Sequence, residues 1–311
     1  MVSVPVPAVV SGRAASEEAF GEQHPDGVSW ALRAAALCVV GLALTWVVAE
    51  LVPGGRAHDA AALLGFSDLW RPRIDTAANA VARSVSARPY ALLAIILLVV
   101  AVIRRRPRTA LAVAVVLLGA GLSAEALKPL LAHPHAYAGN KLVEAGSWPS
   151  GHSTAAMSLA LCAVMVAPAR MRVVVAVVGS LLAVAVSFAL LVLAWHLPSD
   201  VVGGYLLAGL WASLAVAGLQ RAEARWPSSS SPAPPAGRPT GSSLAATVGR
   251  EAVVPAALLC AMAAVLAIAV ILRPEQVTTF AVAHRSLVAA AAMIVVLAGS
   301  LASGLTAVMR R

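Results

Sequence analysis

The amino-acid sequence predicts an all-α fold: a polytopic membrane helix bundle with a six-helix core and two further transmembrane helices at its C-terminal end. Three observations predict it. Apolar residues fill 60% of the 311 positions and charged residues only 12%, which excludes a soluble core-and-surface protein. Eight apolar runs, each near the ~20 residues that cross a bilayer, lie at 29–51, 89–103, 109–127, 153–168, 173–195, 201–220, 252–272 and 286–308. The net charge of +9 comes from basic residues scattered at the ends of these runs, with none of the interleaved aromatics of a nucleic-acid groove, so no nucleic-acid partner is expected.

Each element follows in chain order. The first 28 residues carry Glu17, Glu18, Glu22 and Asp26 and no apolar h-region, so they read as a mobile cytoplasmic tail rather than a signal peptide. The core is expected over 29–220. Within it, residues 53–88 form an outer interfacial loop whose "LLGFSDLW" and "IDTAANAVARSV" have the spacing of short amphipathic surface helices. A connector is the simpler reading of this loop, a cap over a site the alternative. The run at 89–103 is short, and Arg88 is expected to snorkel at its edge. Residues 221–250, with "PSSSSPAPPAGRPTGSS" over 227–243, read as a Pro/Ser-rich linker, and 251–311 as the two additional spans. Cys38, Cys162 and Cys260 all fall inside spans at unrelated spacings, as packing residues do and disulfide or zinc sites do not.

Charge asymmetry sets the expected topology. With the N-terminus inside, 14 of the 23 basic residues face the cytoplasm, including Arg104, Arg105, Arg106 and Arg108 in one short loop. The positive-inside rule then places both termini in the cytoplasm. Alternation of the spans brings the loops after 127 and 195 out together on the opposite side. Four of the seven histidines, His133, His135, His152 and His196, share that face.

Two short strings there carry chemistry. In "HLPSD", Asp200 follows His196 by four residues, close enough to accept a hydrogen bond from one imidazole nitrogen and leave the other free as a base or nucleophile. Read alone, His196 serves equally as an interfacial residue and Asp200 as a charge favoured by a helix N-terminus. In "PSGH", Pro149 and Ser150 end the loop, Gly151 admits a close ligand, and the N–H groups of the starting helix make an anion site beside His152. Ser150 or Ser153 as an ordinary helix cap is the plainer alternative. Lys128 ends the preceding span, and Glu125, three residues earlier, shares its helical face and is placed to pair with it. Trp148 and Trp195 flank the two strings and read as interfacial belt residues.

Lys128, "PSGH" at 149–152 and "HLPSD" at 196–200, in that order and spacing, resemble the type 2 phosphatidic acid phosphatase family of membrane enzymes, over about residues 30–220. The resemblance implies a lipid phosphatase in which His196 takes the phosphoryl group and Asp200 orients it. It makes His152 the acid for the leaving oxygen and then the base for water, with Lys128 and the Ser150 and Gly151 N–H groups holding the phosphate. No cofactor or metal is required by that scheme.

The expected substrate is a phosphorylated lipid, a polyprenyl phosphate or diphosphate or a glycerophospholipid, met in the bilayer at an extracytoplasmic site. The Ala/Val/Leu/Arg-rich composition suits a GC-rich bacterial genome and its plasma membrane; protein partners stay unknown. Two family arginines are replaced. Aligned on Lys128, one falls on His135, with His133 at a common earlier arginine and Ala136 at the following proline, while the later Ser-Arg falls on Ala189 and Leu190. An imidazolium at His135 or His133 stands in for an arginine best below about pH 6.5. For the second, Arg71, Arg73, Arg83 or Arg88 of the outer loop are the candidates to reach in. Two other functions compete: a degenerate member that binds phosphorylated lipid or a membrane partner without turnover, and a metal site or transporter built on "HPH" with His152 and His196.

Overall fold

The computed structural model describes residues 26–132, 143, 146–226 and 274–309, and among them the chain is α-helical with no strand. We number the helices α1 (Asp26–Trp46), α2 (Pro53–Ser67), α3 (Pro72–Arg83), α4 (Ala87–Ile103), α5 (Pro107–Leu131), α6 (Gly151–Val166), α7 (Arg172–Val192), α8 (Pro198–Arg225), α9 (Pro274–Ala283) and α10 (Arg285–Val308). A π-helical segment, Val47–Leu51, extends α1. Among the described residues, five helices are long and apolar enough to cross a membrane: Val28–Leu51, α5, α7, α8 and α10. The bent pair α3 and α4, at 48°, makes a sixth if taken as one span. The chain is a multi-pass membrane protein. The expected span at 252–272, Cys260, His133 and His135 lie outside the described residues.

Helix α8 is the axis of the bundle. It packs against α1, α5, α6 and α10, and its buried face carries Gly203, Gly204, Ala208, Gly209, Ala212 and Ala215. Small residues let helix backbones approach closely, which is how helices associate where lipid is as apolar as the side chains. Helix α6 is short because it is enclosed: Met157, Leu161, Cys162, Val164 and Met165 are fully or almost fully buried, so it makes little contact with the bilayer thickness that sets the length of the outer spans. Cys38 and Cys162 are buried free thiols.

The two ends of the bundle differ in chemistry. At one end Arg108 pairs with Glu223 at 2.8 Å, and Arg172 donates to the Met309 carbonyl at 2.8 Å. The Arg104–Arg108 loop and the C-terminal end of α10 therefore sit together. Helix α10 belongs to the same packed body, since Ile294, Ala298 and Ala302 are buried against α7 and α8. The opposite end gathers α2, α3, the Trp148–Gly151 turn and the Trp195–Asp200 turn.

The outer stretch is more than a connector. Helix α2 packs on the π segment, α7, α8 and α10, and α3 packs on α7. Phe66 meets Phe188 with ring centroids 5.5 Å apart, and Asp68 accepts from His284 Nε2 at 3.1 Å. Arg71, Arg73, Arg83 and Arg88 are exposed. Arg71 bonds the Asp68 and Trp70 carbonyls of its own turn.

Close packing gives a direct test on α5. A Cβ built on Gly119 would lie 2.5 Å from the Trp211 ring, whereas one on Gly121 meets nothing within 4 Å. Trp211 is further held by its indole N–H to Ser123 Oγ at 3.1 Å. Gly119→Ala is expected to lose about 1–3 kcal/mol by overpacking, and Gly121→Ala to change stability by less than about 0.5 kcal/mol. Thermal unfolding of both variants in detergent checks the difference.

Candidate active site

The first turn of α8 supplies the base of the site. Asp200 is fully buried, and its Oδ2 accepts from the Leu197 N–H at 3.0 Å while facing His196 Nδ1 at 3.3 Å. Buried carboxylates need such partners, and the positive end of the helix dipole attracts a negative charge at this position. With Nδ1 turned to Asp200 and donating to it, His196 presents Nε2 outward. The backbone makes this geometry: Leu197 is extended, Pro198 starts the helix with no N–H to satisfy, and Asp200 falls three residues into it.

The "PSGH" turn docks on the same helix end. Ser150 donates its N–H to the Asp200 carbonyl at 2.9 Å, and its Oγ caps α6 by accepting from the Ser153 N–H at 3.3 Å. The capping role anticipated as the plainer reading is thus real, and it coexists with the placing of His152. The ring of His152 lies 6.3 Å from that of His196 and 6.0 Å from that of Trp195, centroid to centroid. His152 stands ahead of the apolar stretch that opens at Ser153, at the mouth of the bundle. Burial holds its imidazole below the ordinary histidine value, and the neighbouring His196 and Lys128 push the same way.

Lys128 completes the cluster. Its Nζ pairs with Glu125 Oε1 at 2.6 Å, as the i,i+3 spacing allows. A Cβ built on Gly151 would lie 3.3 Å from that Glu125 oxygen and 3.5 Å from Nζ, so the ion pair rests over the first turn of α6. Lys128, Ser150, Gly151, His152, His196 and Asp200 are therefore brought to one end of the bundle. His133 and His135 lie outside the described residues.

Across the part of the chain that holds these residues, from within α5 to near the end of α8, positions 109–224 match the model of the PAP2 superfamily. Residues 109–224 belong to the PAP2 superfamily. No curated protein and no solved structure matches the chain. PAP2 superfamily members are phosphatases, which places the chemistry of this end of the bundle, at its coarsest, in the hydrolysis of phosphate esters. Among the described residues no group of three or more His, Cys, Asp or Glu side chains is placed to hold a metal ion.

The PAP2 region departs from the sequence expectations at Trp148. Trp148 is not a belt residue: it is buried, at 5% exposure, against the α8 backbone at Gly203, where a Cβ would lie 2.7 Å from its indole nitrogen. Ala189 and Leu190, on which the family's Ser-Arg falls, are buried in the α7 core, Leu190 completely.

Several site residues carried no recognisable sequence signal. Asp59 of α2 grips Ser199, accepting its N–H at 3.0 Å and its hydroxyl at 2.6 Å. Burial raises the Asp59 carboxyl to about 7; the Ser199 hydrogen bonds oppose that, and the charges of Asp200 and Glu50 add to it. Beneath the histidines, Ser187 links Ser153 to Tyr205, at 3.4 and 2.9 Å, which satisfies three hydroxyls inside the bundle. The "GG" pair at 203–204 was the one legible hint, one turn beyond Asp200.

Gly204 tests how tightly the turn must dock. A Cβ there would lie 2.8 Å from the Ser150 carbonyl oxygen and 2.9 Å from the Thr154 nitrogen, both backbone atoms that cannot swing aside. Gly204→Ala is expected to push the turn off α8 and lower phosphate release at least about 10-fold. Gly218→Ala, facing open space on the same helix, is expected to leave release unchanged, and the rates of the two purified variants decide it.

Proposed function

We propose that the chain is a membrane lipid phosphatase that hydrolyses a phosphate monoester or diphosphate of a polyprenyl or glycerophospholipid through a phosphohistidine. The observation that carries this reading is the facing of His196 and His152 across 6.3 Å, with Asp200 behind the first and Lys128 beside the second. An in-line transfer needs a nucleophile on one side of phosphorus and a proton donor on the other, with donors around the equatorial oxygens. His196, His152 and Lys128 at this end of the bundle support these roles on this reading.

On this reading His196 Nε2 attacks phosphorus as the bond to the lipid oxygen breaks, and His152 gives that oxygen its proton. Water then attacks the phosphohistidine while His152 takes a proton from it, the P–N bond to His196 Nε2 breaks, and phosphate leaves. Asp200 accepts from His196 Nδ1–H throughout and stabilises the cationic ring. Lys128 and the Gly151 N–H at the start of α6 neutralise the phosphoryl oxygens, whereas the Ser150 N–H expected to join them is already given to the Asp200 carbonyl. A site at the mouth of a helix bundle is open to headgroups of lipids diffusing in one leaflet, which favours a lipid ester over a soluble one.

The same reading places the site outside. It lies at the end opposite Arg104, Arg105, Arg106 and Arg108, so the positive-inside rule supports an extracytoplasmic site and cytoplasmic termini in a bacterial plasma membrane. A second reading, binding of a phosphorylated lipid without turnover, draws on the apolar packing at Ala189 and Leu190. Each oriented donor lost from a developing oxyanion costs about 10²- to 10³-fold in rate, and His135 offers a replacement for one arginine only.

Phosphate release from a panel of polyprenyl and glycerolipid phosphates separates these readings. Purified protein in detergent is expected to release phosphate at mildly acidic to neutral pH, with a chelator having no effect and His196→Ala abolishing release. No release above the His196→Ala background on any lipid would favour the binding reading, and loss on chelation would favour a metal site.

A further inference from the structure

The residue that the catalytic scheme leaves unused is Asp59. It sits on α2, outside residues 109–224 matched to the PAP2 superfamily, and 140 residues from its partner. Ser199 is the second residue of α8, and its N–H is one of the donors that a helix start leaves unsatisfied. Asp200 serves the Leu197 N–H from within the turn. Asp59 serves Ser199 from outside it, with both carboxylate oxygens and with contacts of 3.0 and 2.6 Å. Ser199 lies between His196 and Asp200, so the grip falls in the middle of the catalytic turn.

Helix α2 is itself fixed. Its start packs on the π segment, and beyond its other end Asp68 bonds His284 at the head of α10, at 3.1 Å. Phe66 packs against Phe188 of α7 with the two rings tilted by 55°. The grip at Asp59 thus connects a rigid outer helix to the most sensitive turn of the molecule, rather than a loose loop to a surface residue.

We propose that Asp59 is a positioning residue for phosphoryl transfer: by holding the N–H and hydroxyl of Ser199 it ties α2 to the first turn of α8 and keeps Asp200 and His196 in register with His152. This rests on the phosphatase reading above. The titratable groups near Asp59 carry both signs. Glu50 of the π segment and Asp200 of α8 act on it, with His196 in the adjoining turn. Arg56 and His58 belong to its own helix, and His58 Nδ1 is engaged with the Gly54 carbonyl. The neighbouring end of α7 brings no titratable side chain, and α10 brings His284 and Arg285 to the Asp68 end.

Because its carboxyl titrates near 7, the grip operates close to neutrality as an acid or a carboxylate. The sign follows from the raised value. The folded state prefers the protonated form, so this contribution to stability is full at low pH and is lost as pH rises through about 7. Asp59→Asn, which keeps the acceptor for the Ser199 N–H and cannot ionise, imitates the protonated residue.

The test compares wild type, Asp59→Ala and Asp59→Asn in the full-length protein, on whichever lipid phosphate of the panel wild type turns over best, at pH 6. Asp59→Ala is expected to lower kcat at least about 10-fold with KM within about 2-fold, the mark of lost alignment rather than lost binding. Asp59→Asn is expected to restore kcat to within about 3-fold of wild type, and to flatten the fall in thermal midpoint as pH rises from about 4 to about 7. A folded Asp59→Ala with wild-type kcat, or an Asp59→Asn as slow as Asp59→Ala, overturns the proposal. If Asp59→Ala does not fold, Ser199→Ala replaces it. A fall in kcat of about 3-fold or more at unchanged KM supports the grip, and an unchanged kcat overturns it. A wild-type protein without turnover overturns the phosphatase reading and this inference with it, whereas an active wild type with an indifferent Asp59 overturns this inference alone.

Discussion

A carboxylate with no exposure to solvent, Asp200, organises the functional end of this protein. Burying such a group is costly unless it is bonded, and the bonds it takes fix their donors. The Leu197 N–H and the His196 ring are held by its side chain, and the Ser150 N–H by its carbonyl oxygen. One residue thereby sets the direction of His196 and the docking of the turn that carries His152. The two histidines come from segments 44 positions apart, yet their geometry depends on a single helix start.

That helix start has to be held in place, and the small residues of α8 do it. Gly203 receives the Trp148 indole and Gly204 the Ser150–Thr154 backbone, at separations that exclude a Cβ. The rest of the buried face of α8 admits α1, α5, α6 and α10. The outer helices then close the end of the bundle: α2 reaches Ser199 through Asp59 and α10 through Asp68. Residues outside 109–224 are therefore in mechanical contact with the candidate site inside it, and on the proposed reading they tune it.

Much of this was legible in the sequence because local spacing and hydropathy determine it. Uninterrupted apolar runs mark the spans, and the four-residue offset of His196 and Asp200 already implies their hydrogen bond. The three-residue offset of Glu125 and Lys128 implies their ion pair in the same way. Contacts distant in sequence were not legible. Nothing in "AHDAA" announces that Asp59 bonds Ser199, and nothing beside Trp148 tells a buried indole from an interfacial one. Nor did the sequence show that Arg71 folds back on the carbonyls of its own turn. The linear alignment that puts Leu190 at an arginine position is matched by a sealed apolar site in α7.

The central claim is that His196, and no other group, accepts the phosphoryl. Rapid quench of the protein with a radiolabelled lipid phosphate, followed by peptide mapping, tests it most directly. The account predicts an acid-labile, alkali-stable label on the peptide containing His196 that is absent from His196→Ala. Turnover without a labelled histidine, or label on another residue, would contradict it.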